Sequence, residues 1–120
     1  MGPPKPLDEA PRVRALLGYH VLDTAPEPSF DRITALVSRV LDVPIALVSL
    51  IDDERQWFKS CVGLGVGQTD RDVAFCAYAI LEDTVLVIPD ARADPRFAAN
   101  PLVTGEPFLR AYAGAPLIAP

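Results

Sequence analysis

The chain is poor in the residues that most reactive or scaffolded sites need. It has two cysteines, Cys61 and Cys76, and one histidine, His20, in 120 residues. Two thiols are too few for a disulfide framework or a cysteine-only zinc site, and His20 does not complete a ligand set, so no metal is expected. One histidine also leaves no Ser/His/Asp constellation to build, and His20 falls at the end of a helical stretch, where positive charge is favoured. Basic residues are outnumbered, 11 against 16 acidic, for a net charge of −5. The arginines stand singly and Lys5 and Lys59 lie far apart, so the basic stripe that nucleic acid requires is missing. No apolar run approaches the roughly 20 residues that span a bilayer. The opening MGPPKPLDEAPRV lacks the apolar stretch of a secretion signal. It also carries Pro6 where a myristoylation signal wants Ser or Thr. A cytoplasmic protein with no nucleic-acid and no membrane partner is expected.

What remains is a core-forming composition. Half of the residues are apolar, enough for one domain with a real interior. Thirteen prolines, none of them in 29–43, 45–62 or 68–88, mark element ends. Residues 1–7 read as a disordered leader before a domain over 8–120. A first helix is expected from Asp8 to about Tyr19, with Val13, Leu16 and Leu17 on one face. A second follows from a Ser29 cap, with Phe30, Ile33, Leu36, Val37, Val40 and Leu41 as its buried stripe. Asp31, Arg32, Ser38 and Arg39 would face outward. IALVSLI (45–51) reads as a strand covered on both faces and central in its sheet. DDER turns the chain into QWFKSCV (56–62), a more polar strand expected closer to an edge. A loop, GLGVGQTDRD, leads to a short helix in VAFCAYAIL, a strand in TVLVI, helical turns after Asp94, and a strand beginning at YAGAPLIA. A hairpin followed by separate strands and helices argues for an α+β domain with a mainly antiparallel sheet, not for alternating parallel units.

Few motifs carry chemistry. GLGVG lacks the spacing of a dinucleotide fingerprint and is followed by no phosphate-binding lysine, so it reads as a flexible loop. Asp52, Asp53 and Glu54 at a hairpin tip read as solvated turn residues before they read as an acid–base or metal cluster. Asp94 as helix cap and Asn100 as helix stop have structural explanations, whereas Arg96 is free to pair with a carboxylate or an anionic ligand. Cys76 shares a helical stripe with Val73 and Ile80 and reads as a small packing residue, near a helix start that would stabilise a thiolate reached by solvent.

YHVLDTAPEPSFDRITALVSRVLDVPIALVSLID, RQWFKS, FCAYAI, VIPDARADPRFAANPLV and YAGAPL, in that order and spacing, resemble a GAF domain. Such domains are sensory modules found in front of histidine kinases and diguanylate cyclases. The resemblance implies a PAS-like antiparallel sheet flanked by helices, with a pocket formed by the segments at 72–81 and 90–112. Phe75, Cys76, Tyr78, Asp90, Arg96, Phe97, Asn100 and Tyr112 are its candidate ligand-binding residues, and no catalytic or metal residue is implied. Relatives of this type carry histidine where Tyr78 stands, and tyrosine does not titrate near neutrality. Bilin-binding members follow the attachment cysteine with histidine, whereas Ala77 follows Cys76, so no bilin or haem is expected and the cofactor is unknown. A whole domain would continue into another strand beside 45–51 and a C-terminal helix, so the chain is expected to be incomplete at its C-terminus. Its first strand would then have an open edge that invites association.

The resemblance implies a non-enzymatic module that binds a small ligand or forms a homodimer, then biases a C-terminal output domain of a two-component or cyclase system. Two alternatives stand beside it. One is a GAF-type free methionine sulfoxide reductase using Cys61 and Cys76, although the closely spaced cysteines of that group are absent. The other is a structural dimerisation module without a ligand.

Overall fold

The computed structural model describes residues 2–119. Contacts divide them into two compact units, 8–71 and 72–119, the second taking in 2–7 as well. Every strand pairing is antiparallel, as the α+β reading requires. Residues 2–7 contribute neither helix nor strand.

In residues 8–71, α1 (Glu9–Gly18) and α2 (Pro28–Val40) precede β1 (Ala46–Ile51), β2 (Arg55–Val62) and β3 (Gln68–Asp70). Helix α1 ends through Tyr19 into His20, whose φ of 52° is the left-handed turn that stops a helix. Ser29 does not cap α2. Glu27 is the extended residue before it, and Pro28 takes the first helical position, where a missing N–H costs nothing and its fixed φ already fits. The helix lies against β1 and β2 as expected, but is rotated so that Phe30 alone of the expected stripe stays on the sheet side. Thr34 is its one buried residue, with Phe30 and Ser38 half-buried, whereas Ile33, Leu36, Val37, Val40 and Leu41 are 39–70% exposed. Hydrogen bonds decide this orientation. The Thr34 and Ser60 hydroxyls lie 2.8 Å apart, and Ser60 donates to Asp31 Oδ1 at 2.6 Å. Asp31 and Ser38 therefore belong to the sheet side, not to the outer face.

The strand order, β1-β2-β3, also corrects the sequence reading. The apolar β1 is an edge strand and the polar β2 is central. Polar β2 side chains are tolerated inside because most find partners: Gln56 Nε2 donates to Thr69 at 3.1 Å, and Ser60 joins Thr34 and Asp31. Pairing runs Val48 to Ser60 and then Ser49 to Phe58, which leaves Lys59 as the extra residue of a β-bulge. The bulge breaks strand alternation, so Phe58, Lys59 and Ser60 are buried in succession. Lys59 Nζ has no exposed side-chain surface. It donates to Thr24 Oγ1 and Ala25 O, both at 2.7 Å, and its charge is paired with Glu27 Oε2 at 2.6 Å. It thereby ties the link before α2 to the sheet. At the hairpin tip, Asp52 Oδ1 accepts from the Glu54 and Arg55 amides at 3.0 and 2.8 Å, the turn role expected of these acids. The stretch read as a pure loop holds β3, and within it Gly63 adopts φ 89°, where a Cβ would collide with Pro44 O.

In residues 72–119, α3 (Cys76–Ala79), β4 (Leu86–Ile88), α4 (Pro101–Thr104) and β5 (Tyr112–Gly114) are all short. A 3-10 turn at Arg71–Val73 leads into this unit and another follows at Ala91–Ala93. The expected long last strand stops at Gly114, before Pro116, and Leu117 and Ile118 are exposed. The helical turn after Asp94 ends at Asn100 as expected, but Asn100 does more than stop it. Its Oδ1 accepts from Leu102 N at 2.8 Å and caps the start of α4, with Pro101 at the first position. Phe75, Ile88, Ala91, Phe97 and Val103 form the core, with Tyr78, Leu86, Leu102, Leu109 and Tyr112 packed around it.

Candidate functional site

Three separated segments of 72–119 deliver four aromatic rings to one place. Phe75 precedes α3, Tyr78 lies within it, Phe97 sits in the turn after Asp94, and Tyr112 opens β5. Phe75 and Phe97 stack with centroids 4.2 Å apart, Tyr78 meets Phe97 edge-on at 5.0 Å, and Tyr112 tilts onto Phe75 at 5.3 Å. Phe97 is wholly buried.

Polar groups frame these rings. The Tyr112 hydroxyl donates to Cys76 Sγ at 3.2 Å. Burial first, and the neighbouring Cys76 second, push the Tyr112 pKa well above its ordinary value, so the ring stays a neutral donor. The Arg96 guanidinium lies 5.3 Å from the Phe97 centroid and 5.7 Å from that of Tyr78, a cation over two ring faces. Asp94 holds it there with bonds of 3.1 Å to Nε and 2.8 Å to Nη2, and those bonds lower the carboxyl pKa of Asp94. Asn100 Nδ2 donates to Val73 O at 3.1 Å and fixes the approach to α3.

Seven of the eight candidate residues thus line or brace one cluster. Asp90 is the exception: it caps the turn at Ala91–Ala93 and binds Arg92 through its amide, Nε and Nη2 at 2.9–3.0 Å. Ile88, Ala91 and Val103 were not singled out from the sequence, although the β-branched run at 84–88 was a legible signal for the first. Among the described residues, no group of three or more His, Cys, Asp or Glu side chains could hold a metal ion. Neither Cys61 nor Cys76 is in a disulfide, and Cys61 donates to Leu64 O at 3.7 Å.

A concavity unforeseen from sequence lies in 8–71. It is a cleft of about 380 Å³ whose walls include Asp31, Thr34, Phe58, Ser60, Cys61 and Val66. Lys59 also lines it, but its ammonium is already engaged by hydrogen bonds to Thr24 and Ala25 and by the ion pair with Glu27.

Comparison with known proteins identifies the family. The GAF domain family matches residues 25–119, and the chain belongs to that family of sensory modules. A cyclic di-GMP phosphodiesterase of Pseudomonas aeruginosa is 45% identical over 115 residues. The match covers 96% of this chain and 20% of that protein, so the chain spans about a fifth of its relative. Among the described residues, no helix is long and apolar enough to cross a membrane.

Proposed function

We propose that this chain is a non-enzymatic sensory module of a cytoplasmic signalling protein, and that it binds a small molecule at the aromatic cluster of 72–119. The observation that carries the reading is convergence: Phe75 and Tyr78 at α3, Phe97 and Tyr112 come from three segments, and Arg96 lies over two of the rings. Short elements joined by capped turns suit such a role. A ligand that enters between the rings biases how those turns pack, and the bias passes along the chain. The output is a domain outside residues 1–120, a kinase, cyclase or phosphodiesterase, and the similarity to a cyclic di-GMP phosphodiesterase favours cyclic-dinucleotide signalling. Purified protein should carry a small molecule detectable by native mass spectrometry. Loss of that adduct in Arg96→Ala, with the fold intact, supports the assignment; an unchanged adduct contradicts it.

The same reading includes a homodimer. Ile33, Leu36, Val37, Val40 and Leu41 recur at helical spacing on the exposed side of α2, an apolar stripe that water does not favour. A second copy of α2 running antiparallel about Val37 would set Ile33 beside Leu41 and Arg32 beside Asp42 of the other copy, with opposite charges at both ends. β1, with β2 as its one strand neighbour, offers a further edge for association. Light scattering across a concentration series should find a dimer that Leu36→Asp dissociates. A monomer throughout, as when another segment of the full-length protein covers α2, would contradict it.

A further inference from the structure

Helix α1 is attached to its unit differently from α2. It has ten residues and none is buried; Leu17 is 55% exposed, and Val13 and Leu16 are only half-covered. A helix of that length is marginal in water by itself. It is held mainly by charge. Arg71, whose side chain is 5% exposed, grips Glu9 with Nη1 and Nη2, at 2.5 and 3.1 Å, and donates through Nη1 to Asp52 O at 2.8 Å. Arg12 binds the same Glu9 carboxylate through Nε at 3.1 Å and reaches Ile51 O through Nη1 at 2.6 Å. Its Nη2 is buried and lies 3.1 Å from Glu9 without the geometry of a hydrogen bond. One carboxylate therefore balances two guanidinium groups, one of them almost wholly withdrawn from water. Removing a single partner from such a group leaves an uncompensated buried charge, so this attachment opens as a unit.

Arg71 is also where the chain passes into the segment that bears Phe75, Cys76 and Tyr78. Its backbone N–H is bonded to Glu54 O at 3.0 Å, so the hairpin and α1 together hold Arg71 itself. We propose that the Glu9–Arg71–Arg12 cluster is an ionic latch that holds α1 docked, and that opening the latch loosens residues 72–80 through Arg71. The latch is a positioning device, and it operates whether or not the aromatic cluster takes a ligand.

Hydrogen exchange read by mass spectrometry tests it on the full chain. Glu9→Gln keeps the shape of the side chain and removes its charge. Exchange in peptides covering 10–18 and 72–80 should rise at least tenfold, with β1 and β2 unchanged; Glu54→Gln at the exposed hairpin tip should move none of them. Three results would overturn the proposal: α1 exchange unchanged in Glu9→Gln, α1 accelerated without 72–80, or all segments accelerated together as global destabilisation. If Glu9→Gln does not fold, the wild-type chain decides. The latch requires α1 to exchange ahead of β2, and equal protection of the two contradicts it.

Discussion

Replacing Phe97 with alanine should remove most of the stability of 72–119. Phe97 is fully buried, stacks on Phe75 at 4.2 Å and receives the edge of Tyr78 at 5.0 Å. Phe→Ala in a core costs about 3–5 kcal/mol, and each well-placed aromatic pair is worth about 0.5–1.5 kcal/mol beyond its buried area. The upper half of that range is expected, about 4–5 kcal/mol, because the buried cluster around Phe97 has one other large ring, Phe75, beside the smaller Ile88, Ala91 and Val103. Whole small domains are stable by about 5–15 kcal/mol, so the loss is a large share of the total. With a urea dependence of about 1–2 kcal/mol per molar, the midpoint should fall by roughly 2–5 M. Far-UV circular dichroism follows the whole chain, and Trp57, the one tryptophan, reports separately on 8–71. Phe97→Leu should cost less than about 1.5 kcal/mol, since it keeps an apolar filling. A loss under about 1.5 kcal/mol for Phe97→Ala, or equal losses for the two variants, would refute the view that this ring is the keystone of the cluster.

Lys59→Met should cost less than about 1 kcal/mol in urea unfolding, because an apolar chain of similar length can replace a buried ion pair and Glu27 can return to water. Lys59→Ala loses the same donor to Ala25 O and also leaves a void, so it should cost at least about 2 kcal/mol more. Gly63→Ala should destabilise by about 2–4 kcal/mol, since it combines a left-handed backbone with a collision at Pro44 O; thermal melts read this directly. Acid should weaken the fold in a defined window. Arg71 above all holds the Glu9 pKa below its ordinary 4.5 against the effect of burial. Burial raises that of Asp52, but bonds from Arg55 and from the Glu54 and Arg55 amides outweigh it and leave it below 3.8. The unfolded chain therefore binds these protons more readily than the folded one. Stability should be level above about pH 5 and fall as pH drops through the folded pKa values, and a rise in stability on acidification would contradict the ion-pair assignments.

Helical periodicity and proline spacing made α1, α2 and the hairpin legible before any coordinates, because local patterns specify those elements. Which face of α2 turns inward was not legible. Apolar spacing pointed to Ile33 and Leu36, yet Thr34, Asp31 and Ser60 are joined by short hydrogen bonds whose second half lies 26 or 29 residues away. The strand order was misread for a related reason. Lys59 and Ser60 suggested an edge, and only the bulge at Lys59, with its partners at Thr24, Ala25 and Glu27, makes a polar strand suitable as the centre. Asn100 is ambiguous in sequence because the same side chain stops one helix or caps the next, and Pro101 after it was the overlooked sign of a start. The aromatic cluster came from the family resemblance, since no periodicity links Phe75, Phe97 and Tyr112. The Glu9–Arg71 pair spans 62 residues and leaves no local trace at all.

The most direct test of the sensory reading is to extract and quantify small molecules from the wild-type chain and from Arg96→Ala and Tyr112→Phe, with folding checked by circular dichroism. We expect at least one compound near one equivalent per chain, or per half-dimer, in the wild type and a several-fold loss in both variants. No retained compound, or one retained equally in all three, would contradict ligand sensing at the aromatic cluster.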